Sequence, residues 1–245
     1  MEKAFSRTQL LIGEENINAL KNAHVAVFGI GGVGGFAIEA LARSGVGKLT
    51  IFDSDVVDES NLNRQIISTT ENIGKDKVEV AKERLLSINS QMQVFAQKLF
   101  YLPENAPLVD LAEFDYVIDA IDTVTAKLHL IKSAKEKGVK IISCMGTGGK
   151  IDPTKLKVTD IKKTSGCPLA RVMRRELKAL GISDLKVVYS EEQFTALGSE
   201  EKLTEQTEKT GECAKKRCPP SMIFVPATAG LMLAKEVIFD LINKE

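Results

Sequence analysis

The chain has no tryptophan, and only 5% of its residues are aromatic. Stacking on an aromatic platform is therefore not its obvious means of holding bases. It lacks an excess of either charge: 33 lysines and arginines balance 33 aspartates and glutamates. Any surface for a polyanion has to be local. No apolar run approaches the roughly 20 residues that cross a bilayer. Met1-Glu2-Lys3-Ala4 leads into a polar, helix-like segment without the basic-then-apolar order of a secretory signal. The four cysteines, Cys144, Cys167, Cys213 and Cys218, form no Cys-x-x-Cys pair, so the usual zinc spacing is missing. Without export, disulfides are not expected. The expectation is a cytoplasmic protein with free thiols; the alternative is a redox or sulfur-handling pair at Cys213 and Cys218.

What is present is enough apolar material for a sizeable core, at 44% of 245 residues. Short apolar runs alternate with longer amphipathic ones. Strands are expected at 24–28, 48–52, 93–97, 116–119 and 140–144, with helices near 33–43, 76–89 and 124–137. Such alternation predicts an α/β fold, a Rossmann-like, doubly wound and mostly parallel sheet with helices on both faces. A helical arm carrying Leu10, Leu11, Ile17 and Leu20 precedes the first strand. Beyond residue 150 the reading is a Lys-rich strand at 155–163, a helix from Pro168 to about Leu180, a strand at 186–189 and a closing helix at 227–242. The polar stretch 191–220 reads as a mobile insertion. The chain is expected to be one domain, 1–245, with a nucleotide-binding half at 1–150 and a substrate-facing half at 151–245.

Gly29-Ile30-Gly31-Gly32-Val33-Gly34 fits G-x-G-x-x-G between a strand and a helix. Its glycines permit a tight turn and bring backbone N–H groups to a phosphate at a helix start. Asp53, ending the second strand, can accept hydrogen bonds from a ribose. This implies an adenine nucleotide without choosing between NAD and ATP. The following stretch, DSDVVDESNLNRQ and on through Lys77, makes the choice. A hydride transferase does not break its cofactor's phosphates, whereas an adenylating enzyme must gather charge at the α-phosphate. Arg64 and Lys77 can supply cations, and Asp122, after the fourth strand, a carboxylate for magnesium.

FSRTQLLIG, GIGGVGG, DSDVVDESNLNRQ, IGKDKV and DAIDT, in that order over residues 5–123, resemble the ThiF/MoeB/E1-like activating superfamily. Its members form acyl-adenylates with ATP and magnesium on a Rossmann-like fold. The resemblance implies an ATP site of Gly29, Gly31, Gly32, Gly34, Asp53 and Asp55, with Asp53 on the ribose. Asn61, Arg64 and Lys77 would hold the phosphates and Asp122 the magnesium. It also implies that Arg7 reaches the triphosphate in the other subunit's site, and hence a homodimer. Members that charge sulfur-carrier or ubiquitin-like proteins commonly carry two Cys-x-x-Cys pairs, which this chain lacks. SGCPLARVMRRELKALGISDLKVVYSEE and FVPATAGLMLAKEVI resemble instead the tRNA threonylcarbamoyladenosine dehydratases. These cyclise a threonylcarbamoyl group on the adenosine next to the anticodon. The implied function is that dehydration, through an acyl-adenylate of the threonyl carboxylate. The alternative is adenylation of a carrier protein's C-terminus, and a sulfur-transfer partner protein is compatible with either.

The residues point to RNA independently. Arg171, Arg174, Arg175 and Lys178 fall at i, i+3, i+4 and i+7, one face of a helix, opposite Leu169, Val172, Met173, Leu177 and Leu180. Lys155, Lys157, Lys162, Lys163 and Lys215-Lys216-Arg217 add cations in the same half, a pattern suited to phosphate contacts.

Overall fold

The computed structural model describes residues 3–193 and 219–243. Among them, seven strands form one sheet: His24–Phe28 (β1), Lys48–Asp53 (β2), Gln93–Lys98 (β3), Tyr116–Asp119 (β4), Lys140–Cys144 (β5), Leu156–Asp160 (β6) and Lys186–Ser190 (β7). Their order is β3-β2-β1-β4-β5-β7-β6, with every neighbour parallel except β6 against β7. The central strands are apolar on both sides, as a sheet covered on both faces requires. Along β1 the side chains alternate between two cores. Val25 and Val27 join one with Gly34–Arg43 (α3), Lys77–Ile88 (α4) and Phe224–Ile242 (α7). Ala26 and Phe28 join the other with Val124–Glu136 (α5) and Pro168–Ala179 (α6). The doubly wound, mostly parallel fold expected from the sequence is the one observed, and both halves of the chain contribute strands to its single sheet.

The helical arm expected before β1 is present, with a break, and one local expectation is corrected. The N-terminal arm is two helices, Ser6–Ile12 (α1) and Glu14–Asn22 (α2), broken at Gly13 with φ of 86°. The break leaves Ile17 and Leu20 buried while Leu10 and Leu11 are exposed, so the four leucines and isoleucines do not share one apolar face. The Lys-rich strand is shorter than 155–163. Asp152 and Asp160 accept hydrogen bonds from Thr154 N and Lys162 N, and each opens a 3-10 turn that bounds β6. The insertion expected at 191–220 falls almost wholly outside the described residues, as do Cys213, Cys218 and Lys215-Lys216-Arg217. No helix among the described residues is long and apolar enough to cross a membrane.

Candidate active site

β1 and β4 are neighbours whose following helices lie on opposite faces, so a crevice opens beyond their C-terminal ends, where ligands sit in this class of fold. A cleft of about 440 Å³ occupies that place, within the range of small-molecule sites. The glycine turn forms one wall. Gly29 has φ of 87°, and a Cβ there would meet Ala120 O at 2.7 Å, so both the conformation and the neighbouring strand demand glycine. Gly34 does not line the cleft. A Cβ on it would stand 1.8 Å from Gly29 O, and its absence lets α3 start directly against the turn.

Asp53 fastens the turn to β2. Its Oδ2 accepts from Ile30 N at 2.7 Å and its Oδ1 from Asp55 N at 2.9 Å, which fixes the carboxylate at the cleft edge. Lys77 opens α4 with only 4% of its surface exposed. Its Nζ donates to Asp55 Oδ2 at 2.8 Å, and that Asp55 side chain is 65% exposed. The lysine is thus anchored from behind, with a partner that solvent or a ligand can compete for. Arg64 is half-buried, and its Nη1 donates to Ser60 O at 2.7 Å and Asn63 Oδ1 at 3.0 Å. Among the described residues, the other guanidinium N–H groups make no hydrogen bond. Asn61 is buried, and its Oδ1 accepts from Asp58 N at 3.2 Å, closing the short turn that carries Arg64. Asp122 lines the cleft and is exposed, and its Oδ1 accepts from Thr123 Oγ1 at 3.2 Å.

Gly29, Gly31, Gly32, Asp53, Asp55, Asn61, Arg64, Lys77 and Asp122 therefore converge on one cleft. Arg7 does not line it; that residue is exposed on α1. Nor do the four α6 residues behave alike. Arg174 is half-buried and its Nη1 donates to Thr164 O at 2.7 Å and Thr164 Oγ1 at 2.6 Å. Arg175 pairs with Glu176 at 2.5 Å. Arg171 and Lys178 are exposed and, among the described residues, form no ion pair; the same holds for Lys162 and Lys163. Leu180 is exposed too, since it lies past the last helical residue.

Sequence reasoning passed over an apolar wall and a buried support. Leu99, Phe100 and Tyr101, directly after β3, line the cleft beside Phe28 and Phe52. Phe28 and Phe52 stack at 4.3 Å, and Tyr101 meets Phe28 edge-on at 5.1 Å. Burial pushes the Tyr101 phenol up, against a lesser opposing pull from Ser133. Only the strand order, which sets β3 beside β2, places this segment at the site. Beneath Asp122, Lys127 and Asp119 are wholly buried and paired at 2.9 Å. Lys127 Nζ also donates to Ile121 O at 3.0 Å and Cys144 O at 2.8 Å, and Asp119 Oδ2 accepts from Ser143 Oγ at 2.6 Å. The ends of β4 and β5 are thereby clamped under the cleft. Burial pushes the neighbouring Cys144 thiol up to about 12, and Cys167 is buried as well, so neither is a ready nucleophile.

A narrow polar cleft with an apolar end, a glycine turn and two anchored cations suits a nucleotide whose phosphates are to be handled. Comparison with known proteins agrees. A tRNA threonylcarbamoyladenosine dehydratase of Bacillus subtilis (strain 168) is 41% identical over 241 residues, 98% of this chain and 94% of the relative. The crystal structure of the E. coli tRNA N6-threonylcarbamoyladenosine dehydratase TcdA in complex with ATP superposes with a TM-score of 0.86 at 33% identity, covering 99% of this chain and 95% of that one. E. coli MccB with ATP, 21% identical with a TM-score of 0.64, covers 100% of this chain and 65% of its own, and shares the fold alone. The sequence profile of the ThiF family matches residues 5–244, and the chain belongs to that family.

Proposed function

We propose that the chain is an ATP-dependent enzyme that dehydrates threonylcarbamoyladenosine in tRNA, next to the anticodon, through an acyl-adenylate of the threonyl carboxylate. The observation that carries this reading is Arg64 and Lys77 together lining the same cleft as the glycine turn, in a chain so close to a named dehydratase over nearly its full length. The turn would take the phosphates on backbone N–H groups, Asp53 the ribose and the Phe28–Phe52–Tyr101 wall the base. Arg64 and Lys77 would neutralise charge developing at the α-phosphate as pyrophosphate leaves. Lys77 would meanwhile exchange part of its bond to Asp55 for one to phosphate.

An exposed carboxylate fits magnesium, which keeps several waters and is commonly held by one or two carboxylates plus substrate phosphates. Asp122 would hold it, and the ion would supply further neutralisation of phosphate charge. Adenylation turns the carboxylate's poor leaving group into AMP. The carbamoyl oxygen or nitrogen of the same modification then attacks the activated carbonyl, closing a ring and expelling AMP, with net loss of one water. Nucleophile and electrophile share one molecule, so proximity supplies much of the second step and no cysteine is required. On the tRNA side, Arg171, Lys178, Lys162 and Lys163, without an ion pair among the described residues, would meet phosphates, with Arg174 and Arg175 behind them. The reading includes a homodimer completed by Arg7 and a cytoplasmic location.

The test is purified protein with α-labelled ATP and tRNA carrying the modification. AMP release and nucleosides lighter by one water are expected. Arg64→Ala and Lys77→Ala should each lower the rate by about 10²–10³ with an unchanged circular-dichroism spectrum. Full activity in either variant, or AMP release only with a Gly-Gly-ended carrier protein, would refute the assignment.

A further inference from the structure

Next to Arg64 stands a side chain that the cation chemistry leaves unused. Gln65 is 6% exposed and forms part of the cleft wall. Its main chain is fully engaged: its N–H donates to Asn61 O at 3.0 Å, and its carbonyl accepts from Ser68 N at 3.0 Å. Among the described residues its carboxamide makes no hydrogen bond. Oε1 is buried without a hydrogen-bond partner, and Nε2 lies 3.8 Å from where a methyl on Gly31 would stand. Ser68 Oγ, one turn along, is likewise buried and unpartnered.

Buried polar atoms in native proteins are nearly always paired, and an unmade bond destabilises. Asn61, equally buried one turn earlier, has the ordinary arrangement, its Oδ1 accepting from Asp58 N. Packing alone would be served as well by methionine, which has the same length and no polar atoms to strand. An amide whose Nε2 stands beside the glycine turn without an acceptor among the described residues matches a site whose acceptor arrives with the ligand.

We propose that Gln65 is a further nucleotide-contacting residue, its Nε2 donating to a non-bridging oxygen of the phosphate chain that lies against Gly31 and Gly32. This rests on the ATP reading above. A neutral donor here fixes the phosphates without adding a third cation to hold back the departing pyrophosphate. Such a contact is made alike before and during the reaction, so it acts on binding more than on turnover.

Isothermal titration calorimetry with ATP, alongside thermal unfolding, tests it. Gln65→Met should weaken ATP binding about tenfold, with the melting temperature equal to wild type or higher and kcat within about twofold. Gln65→Glu, which sets a carboxylate against the phosphates, should weaken it more, by about a hundredfold. Should Gln65→Met fail to fold, Gln65→Asn decides, because its amide is one methylene short and the same loss is expected. Unchanged ATP affinity in the folded variant overturns the role of Gln65 while the ATP reading stands. Failure of the wild-type protein to bind ATP overturns that reading itself.

Discussion

At the scale of single residues, the cleft sorts its charges into those aimed at a ligand and those aimed at the protein. Lys77 and Lys127 illustrate the two. Lys77 meets one carboxylate that is itself largely in solvent, so its charge is available across the cleft. Lys127 has three acceptors, Asp119, Ile121 O and Cys144 O, as many as an ammonium has donors. It can offer a ligand nothing and serves only to hold two strand ends. Replacing one member of such a pair strands a buried charge, so Lys127→Met should lower stability by about 3–5 kcal/mol in urea unfolding. The double change Lys127→Met with Asp119→Asn should recover part of that loss. A loss under about 1 kcal/mol in the single variant would mean that the clamp does not hold these strand ends. Neither residue was legible from the sequence. Asp119 and Lys127 are ordinary letters eight positions apart, and only the meeting of β4, β5 and α5 brings them together.

At the scale of elements, what could be read was what repeats. β1, β4 and β5 stand out because strands covered on both faces are nearly all apolar, and their observed limits match those expected. α6 was legible for a different reason: of its expected apolar face Met173 and Leu177 are buried and Leu169 and Val172 half-buried, while Ala170, which the spacing had not singled out, is buried with them. Spacing did not say which of its cations point outward. Arg174 turns back to Thr164 and holds the N-terminal approach of the helix, whereas Arg171 and Lys178 form no ion pair among the described residues. Arg171→Glu with Lys178→Glu should therefore weaken tRNA binding and flatten its salt dependence, without loss of melting temperature. Arg174→Ala should instead lower stability by about 1–2 kcal/mol. An unchanged salt slope in the double variant would reduce the stripe to solvated surface. Between α3 and α4 a second tie is formed by Glu39. Burial pushes its carboxyl up, but hydrogen bonds from Arg84 and Arg43 outweigh this and hold it below the usual range. A pKa lowered by folding contributes stability at neutral pH and forfeits it as pH falls through the folded value. Glu39→Gln should thus be less stable than wild type at pH 7, and the gap should close on acidification in pH-resolved denaturation. A gap independent of pH would place the effect in packing instead.

At the scale of the whole molecule, the residues that meet in the cleft were legible in outline because their motifs are contiguous, from the glycine turn through Asp53 to Arg64 and Lys77. The wall after β3 and the segment at Ser221, which accepts from Asn63 Nδ2 at 2.9 Å across 158 positions, became visible only once the sheet order was known. Arg7 presents the remaining problem of scale. It lies on α1, outside the cleft of its own chain, next to Leu10 and Leu11, which are 88% and 83% exposed. A helix that leaves two leucines in solvent beside a cation is suited to be covered by a second copy, which would carry Arg7 of the partner subunit to the triphosphate. Mixing inactive variants tests this directly. In a heterodimer of an Arg7→Ala chain with a Lys77→Ala chain, the first chain's site keeps its own Lys77 and receives an intact arginine from the second. The other site lacks both. Random reassortment makes half the dimers mixed, each with one of two sites whole, so roughly a quarter of wild-type AMP release should return. If Arg7 served its own chain, every site in the mixture would carry one lesion, and mixing would restore nothing.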